Sequence, residues 1–455
     1  MRTWWRRSPL PLAEAGAREP SLERRIAALA FPALGVLAAE PLYLLFDLAV
    51  VGRLGALSLA GLAIGGLIVS LVGSQLTFLS TATTARSARF YGVGDRKAAV
   101  AEGVQATWLA IGLGLAVVAV VQLVAEPVVA IIAGPGPGEE IAAAALPWLR
   151  IAILAVPAIL ISLAGNGWMR GIQDTVRPLR YVVIGFAVSA VLCPLLVYGL
   201  LGLPRWGLAG SAVASLVGQW LAGLLFCRAL LSERVPLRPD GTVLRAQLVM
   251  GRDLVVRTMV FQACFVSAAA VAARFGAAAL AAHQVVLQLW SFLALVLDSL
   301  AIAAQSLVGA ALGGGDTRYA TQVAWRVTKF SAITAVGLAA VLALGASVFP
   351  SLFTGDRAVL DAIGVPWWFL VAQLPAAGVL FALDGVLLGA GDATFMRNAT
   401  LVGALLGFLP LTWLSLVFGW GLVGIWSGLT AFIGLRLILG IWRVTSGRWK
   451  VSGTG

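Results

Sequence analysis

The chain has 455 residues, 60% of them hydrophobic and only 11% charged, with a mean hydropathy of +0.96. A water-soluble protein needs far more polar surface, so this composition excludes one and implies an integral membrane protein. The net charge of +12 would suit nucleic acid, but the basic residues gather at every second connection between apolar runs, which reports orientation in a membrane rather than a polyanionic partner.

Residues 1–21 begin "MRTWWRRSPLPLAEAGAREP", which has no apolar core long enough for a cleaved signal and is expected to form a short mobile cytoplasmic tail. Twelve apolar runs follow, each long enough to cross a hydrocarbon core of about 30 Å. They are rich in Gly and Ala and lack the ten-residue alternation of a barrel, so the fold class is an all-α integral membrane protein. With Gly, Pro and charged clusters as breaks, spans are expected near 26–52, 58–83, 98–125, 141–166, 178–202 and 206–231. A second set lies near 246–273, 277–311, 320–349, 359–388, 396–418 and 421–443. These define an N-terminal six-helix lobe over 22–232, a polar cytoplasmic linker over 233–245, a C-terminal six-helix lobe over 246–445 and a cytoplasmic tail over 446–455. Clusters such as Arg86, Arg89, Arg96 and Lys97, or Arg443, Arg448 and Lys450, alternate with connections carrying Glu139, Glu140, Asp356 and Asp361, so both termini are expected in the cytoplasm. The tryptophans are mostly near span ends, which fits interfacial anchoring. Cys193, Cys227 and Cys264 are isolated in apolar runs, with no disulfide or zinc spacing.

The halves repeat each other. "RLGALSLAG" from Arg53 matches "RFGAAALAA" from Arg274, and "GVGD" from Gly92 matches "GGGD" from Gly313, both at an offset of 221. "GIQDT" from Gly171 matches "GAGDA" from Gly389, and "WGLAG" from Trp206 matches "WGLVG" from Trp420, at slightly shorter offsets. Ordered matches at a nearly constant offset mean duplication. Six spans per copy is even, so the two pseudo-symmetric bundles are parallel repeats about an axis along the membrane normal.

"LFDLAVVGRLGALSLAGLAIG", "ALAAHQVVLQLW", "DSLAIAAQSLVGAALGGGD" and "LDGVLLGAGDATFMRNA" resemble the multidrug and toxic compound extrusion (MATE) family, and its DinF-like branch in particular, over about residues 22–445. The resemblance implies an antiporter of two six-helix lobes that exports organic compounds against H⁺ or Na⁺. It also sets Asp47 at the position of the family's first-helix aspartate, implicated in cation coupling. Where many relatives carry an N-x-x-L-D-P pattern in the fifth helix, this chain has "SAVLCP", with Ser189 and Cys193 before Pro194. The coupling site is therefore left between Asp47 with hydroxyl or amide partners and the acids of the second lobe.

Read from the residues themselves, four intramembrane acids are the cation-coupling candidates: Glu40, Asp47, Asp298 and Asp384. Exposed to lipid, each ionised carboxylate would cost roughly 2.5–3.5 kcal/mol, so each should face a cavity or a partner. Glu40 and Asp47 are seven residues apart and fall on one helix face, with Pro41 making a bend near Glu40. Glu40 can also be read as simply hydrated at a cavity mouth, and Asp47 as a fixed ion pair with a neighbouring helix. Through the repeat, Asp47 projects onto Ala268, Asp298 onto Thr77 and Asp384 onto Asn166, so the lobes are expected to differ in role. Substrate-cavity candidates are Tyr43, Phe46, Asn166, Gln262, His283, Gln284, Gln288 and Gln305. His283 serves equally as a proton exchanger or as an inter-helix hydrogen-bonding group, and the second is favoured.

The expected function is alternating-access export of cationic or amphipathic small molecules, driven by H⁺ or Na⁺, with no cofactor and no metal site. The alternative is a lipid-linked precursor flippase of the same wider superfamily. One histidine, no HExxH and no Cys–His constellation argue against a membrane-embedded enzyme. The expected partners are a small organic substrate and the lipid bilayer, without nucleic acid, and the chain is expected to act as a monomer in a bacterial-type cytoplasmic (inner) membrane.

Overall fold

A computed structural model describes residues 21–453. The tail expected over 1–21 lies, except for Ser21, outside them. Among the described residues there is no strand, and twelve helices are long and apolar enough to cross a membrane. In chain order these are α1 (Leu22–Gly52), α2 (Ala56–Gly92), α3 (Arg96–Ala133), α4 (Gly138–Gly171), α5 (Val176–Tyr198) and α6 (Leu208–Ser232). The second six are α7 (Gly241–Arg274), α8 (Ala277–Gly313), α9 (Thr317–Leu344), α10 (Arg357–Gly389), α11 (Ala393–Phe418) and α12 (Leu422–Thr445).

Several spans are interrupted where the chemistry of the sequence requires it. α2 breaks at Thr77, whose hydroxyl donates back to the Ser74 carbonyl while Ser74 donates to Leu71, a local bonding pattern that bends helices. α4 tightens to a 3₁₀ turn over Ile153–Ala155, just before Pro157, and α11 widens over Ala404–Phe408, just before Pro410. Each proline lacks the N–H that would continue the ladder, and the adjoining turn absorbs the mismatch. The repeated "GVGD" and "GGGD" stretches are helix starts. Asp95 and Asp316 accept from the N–H groups of Ala98 and Tyr319 at 2.9 and 2.8 Å, and Gly94 and Gly315 supply the positive φ of the preceding turn.

The described residues divide into two compact units, one of residues 35–249 and a second of residues 250–453 together with 21–34. The division falls inside α1 and α7, which are repeat counterparts, rather than in the polar linker. Ile26, Leu29 and Ala30, expected with the first lobe, pack into one apolar core with Leu307, Leu312 and Val323. Conversely, Gln247 at the start of α7 is fully buried and donates to the Glu102 carboxylate of α3 at 2.9 Å. The linker is also tied down. Glu233 pairs with Arg96 at 2.7 Å, and the carbonyls of Leu237 and Arg238 accept from Trp108 and Gln105 of α3. The C-terminal tail, expected simply as cytoplasmic, folds back: Trp449 is buried and the Gly453 N–H donates to the Leu312 carbonyl at 3.1 Å.

Tryptophan placement departs from simple interfacial anchoring. Trp148, Trp168, Trp367 and Trp426 are buried in helix packing, where their area fills space beside glycines and alanines. A Cβ at Gly65 would meet the Trp148 ring at 2.4 Å, and one at Gly103 would meet Trp168 at 2.3 Å.

Candidate functional site

Within residues 35–249, α1 presents a narrow buried stripe at four-residue spacing: Tyr43, Asp47 and Val51, with Asp47 only 2% exposed. The residues between them are mostly exposed and apolar, as suits a lipid-facing surface. Burial of the stripe stops at Tyr43, so Glu40, one turn earlier, is exposed and the two acids do not share one buried site.

Three other helices complete the surroundings of Asp47. Cys193 of α5 donates its S–H to Oδ1 at 3.2 Å, and Ser211 of α6 donates its hydroxyl to Oδ2 at 2.9 Å. Trp148 of α4 donates its indole N–H to the Ser211 oxygen at 3.3 Å, so the hydroxyl is oriented with its proton toward the carboxylate. Beside this, Ser215 donates to the Tyr43 hydroxyl at 3.0 Å, and the Tyr43 ring lies 5.3 Å from that of Phe186. Cys193, Ser211 and Ser189 are all buried, and the Ser189 hydroxyl has no hydrogen-bond partner among the described residues. The close crossing of α5 and α6 depends on small residues: a Cβ at Gly218 would lie 2.4 Å from the Gly185 carbonyl oxygen.

No ion pair to Asp47 exists among the described residues; its hydrogen-bond donors are a thiol and a hydroxyl. A carboxylate held in a membrane interior without a countercharge is costly unless a proton, a metal cation or a cationic ligand neutralises it. The resulting arrangement is a small buried polar cluster of one carboxylate, one thiol and one hydroxyl.

The second lobe treats its acids differently. Asp384 of α10 accepts from Arg257 of α7 at 2.7 Å and from Arg436 of α12 at 2.6 Å, both at Oδ2. Both guanidinium groups also lie over the Phe261 ring, at 5.3 and 4.9 Å. Asp384 therefore sits in a fixed triad with one net positive charge. Arg436 is not among the residues expected from the sequence, although an arginine inside "AFIGLRLILGIW" is as conspicuous as an acid would be. Asp298 of α8 is half-buried, and Gln305 on the same helix is buried.

Among the cavity candidates, Tyr43 joins the Asp47 surroundings, whereas Phe46 turns outward at 39% exposure. Asn166 is buried in α4 between Gly165, packed on Phe226, and Gly167, packed on Thr83. Gln284 and Gln288 are exposed together on one face of α8, and Gln262 is half-buried in α7. His283 is buried edge-on to Trp426 at 5.9 Å, and neither ring nitrogen has a hydrogen-bond partner among the described residues. The favoured inter-helix hydrogen bond of His283 is thus not present. Ser211 and Trp148 were invisible to sequence reasoning; the one available signal was a serine and a tryptophan inside otherwise apolar spans.

The MatE family profile matches residues 32–195 and 254–414. The chain is 32% identical over 440 residues to Protein DETOXIFICATION 44, chloroplastic, of Arabidopsis thaliana, covering 94% of this chain and 83% of that one. It is 31% identical over 435 residues to the DNA damage-inducible protein F of Escherichia coli (strain K12), covering 91% of each. Among solved structures, a MATE protein in complex with MaL6 superposes with a TM-score of 0.84 at 20% identity, over 94% of this chain and 98% of that one. A MOP superfamily transporter from Pyrococcus furiosus Vc1 (DSM3638) gives 0.82 at 20% identity, over 95% and 96%.

Proposed function

The chain belongs to the MATE family, and from that premise we propose that a cation moving down its gradient through Asp47 drives the export. The protein is a multi-pass membrane transporter for efflux of drugs and toxic organic compounds, and not an enzyme. The observation that carries the proposal is the buried Asp47 carboxylate with uncharged donors alone. Whatever neutralises it, whether the coupling ion or a lipophilic organic cation, competes for the same charge. Loading one displaces the other, and coupling then needs no direct contact between the two ligands.

The coupling ion on this reading is H⁺. A Na⁺ ion seeks several oxygen ligands, whereas this carboxylate is flanked by one hydroxyl and one thiol, and sulfur is a poor ligand for a hard cation. Asp384 serves as the countercharge of two arginines and not as a coupling group. Alternating access supplies the cycle: the protonated state returns inward, releases its proton and takes up cargo. On this reading the chain works as a monomer in the cytoplasmic membrane with both termini inside, an orientation supported by the distribution of basic residues among the loops.

The test is efflux from proteoliposomes with pH and sodium gradients imposed separately. The pH gradient alone is expected to drive export of an organic cation, and Asp47→Asn to abolish it while the protein still folds. Full export by Asp47→Asn would overturn the assignment; export driven by sodium alone would overturn the choice of ion.

A further inference from the structure

At one end of the second unit, the starts of α1 and α9 and the returning C-terminal tail enclose a groove of about 1080 Å³. Its walls carry Arg318, Arg326, Lys329 and Lys450 against a single carboxylate, Glu23, which is taken up by Arg326 at 2.9 Å. Among the described residues, Arg318, Lys329 and Lys450 have no carboxylate partner. Lys450 is held in place rather than trailing: Trp449 beside it is buried with its indole bonded to the Val444 carbonyl at 2.9 Å.

The face of α9 continues the pattern. At about 100° per residue, Arg318, Gln322, Trp325, Lys329, Val336 and Ala340 fall within a sector of about 60°, and all six are exposed. Val323, Val327, Ser331 and Ala335 occupy the opposite side and are buried. One exposed strip therefore passes from the Arg318 guanidinium, past an indole at 46% exposure and then the Lys329 ammonium, to aliphatic side chains. That is the polarity order of a phospholipid from phosphate to acyl chain. A soluble anion would use the basic end and leave the strip idle. Indole rings favour the headgroup level, and basic pockets among helix ends favour anionic headgroups.

We propose that this groove binds the headgroup of an anionic phospholipid from the leaflet carrying the basic loops, with its phosphate among Arg318, Lys329 and Lys450 and an acyl chain along α9. The proposal is independent of the role given to Asp47.

Native mass spectrometry of the full-length protein tests it, with phosphatidylglycerol and phosphatidylcholine of equal chain length as probes. The first phosphatidylglycerol should be retained at a concentration roughly tenfold or more below that for phosphatidylcholine, since each basic group contributes about 1 kcal/mol. The triple change Arg318→Gln, Lys329→Gln and Lys450→Gln should erase that preference, and Lys329→Arg with Lys450→Arg should keep it. Should the triple variant fail to fold, Lys329→Glu alone carries the test, with several-fold loss expected. An unchanged preference in the neutralised protein would overturn the site. Displacement of the lipid by millimolar glycerol phosphate would show that a soluble anion is the ligand instead, and would overturn the lipid assignment.

Discussion

The surroundings of Asp47 and their repeat counterpart use the same scaffold with opposite polarity. In the first lobe, Ser211 donates to Asp47 and accepts from Trp148, and Ser215 donates to Tyr43 one turn away on each helix. At the matching offsets the second lobe has Cys264, Ala268, Ile425 and Leu429, and Trp367 answers to Trp148 one position beyond the offset of that span. All five belong to one buried apolar core. Trp367 donates to the Leu342 carbonyl at 3.2 Å, so even the indole N–H is satisfied without a side-chain acceptor. The comparison teaches that this helix crossing forms with one thiol and one indole as the polar side-chain groups of these five positions, and with no acid. The second lobe builds the corresponding crossing without an acid, which is the contrast that the proposed coupling role of Asp47 rests on.

The sharpest way to break the contrast is at the second lobe's own charges. Asp384→Leu leaves Arg257 and Arg436 side by side without a countercharge; a loss of about 3–5 kcal/mol is expected, read as a lowered unfolding temperature in detergent. The triple replacement of Arg257, Asp384 and Arg436 by Met, Leu and Met should recover most of that loss. Ala268→Asp then asks whether the second lobe can host the acid at all. With only apolar neighbours to receive it, a cost of roughly 2.5–3.5 kcal/mol is expected, with no gain in transport. Ser211→Ala removes one of the two donors to Asp47. Fold stability should change by about 1 kcal/mol, while the pH dependence of export should move measurably, because the removed bond favours the ionised carboxylate. Trp148→Phe acts at one remove, through the orientation of Ser211. Its effect on the same pH profile should be in the same direction and smaller than that of Ser211→Ala.

The twelve spans and their duplication were legible because the bilayer imposes a length and an apolar composition on every helix, and each copy carries the same glycine–aspartate helix starts. Asp47 was legible because an acid in an apolar run stands out. Cys193 was marked only through the resemblance, standing where relatives carry the fifth-helix aspartate; Trp148 and Ser211 were not legible, since they come from two other helices and do not differ in kind from the small or aromatic residues that fill any span. The exclusion of Glu40 from the buried stripe was also hidden. Helical spacing gives the face on which a residue lies, but only the neighbouring helices determine how far along that face burial extends. Arg436 shows a different gap: it was as visible as Asp384, and the search for acids passed over the cation that neutralises one of them.

The division of the units inside α1 also bears on synthesis. The first turns of that helix leave the ribosome before the other eleven described spans, yet Arg25 finds a hydrogen-bonding partner, the Tyr319 hydroxyl, 294 residues later. Ile26, Leu29 and Ala30 must wait for α8 and α9 to be inserted before their apolar core can close. The opening segment of the chain is thus among the last to find its native contacts, and a nascent protein stalled before α8 would hold those side chains against lipid or a chaperone until elongation resumed.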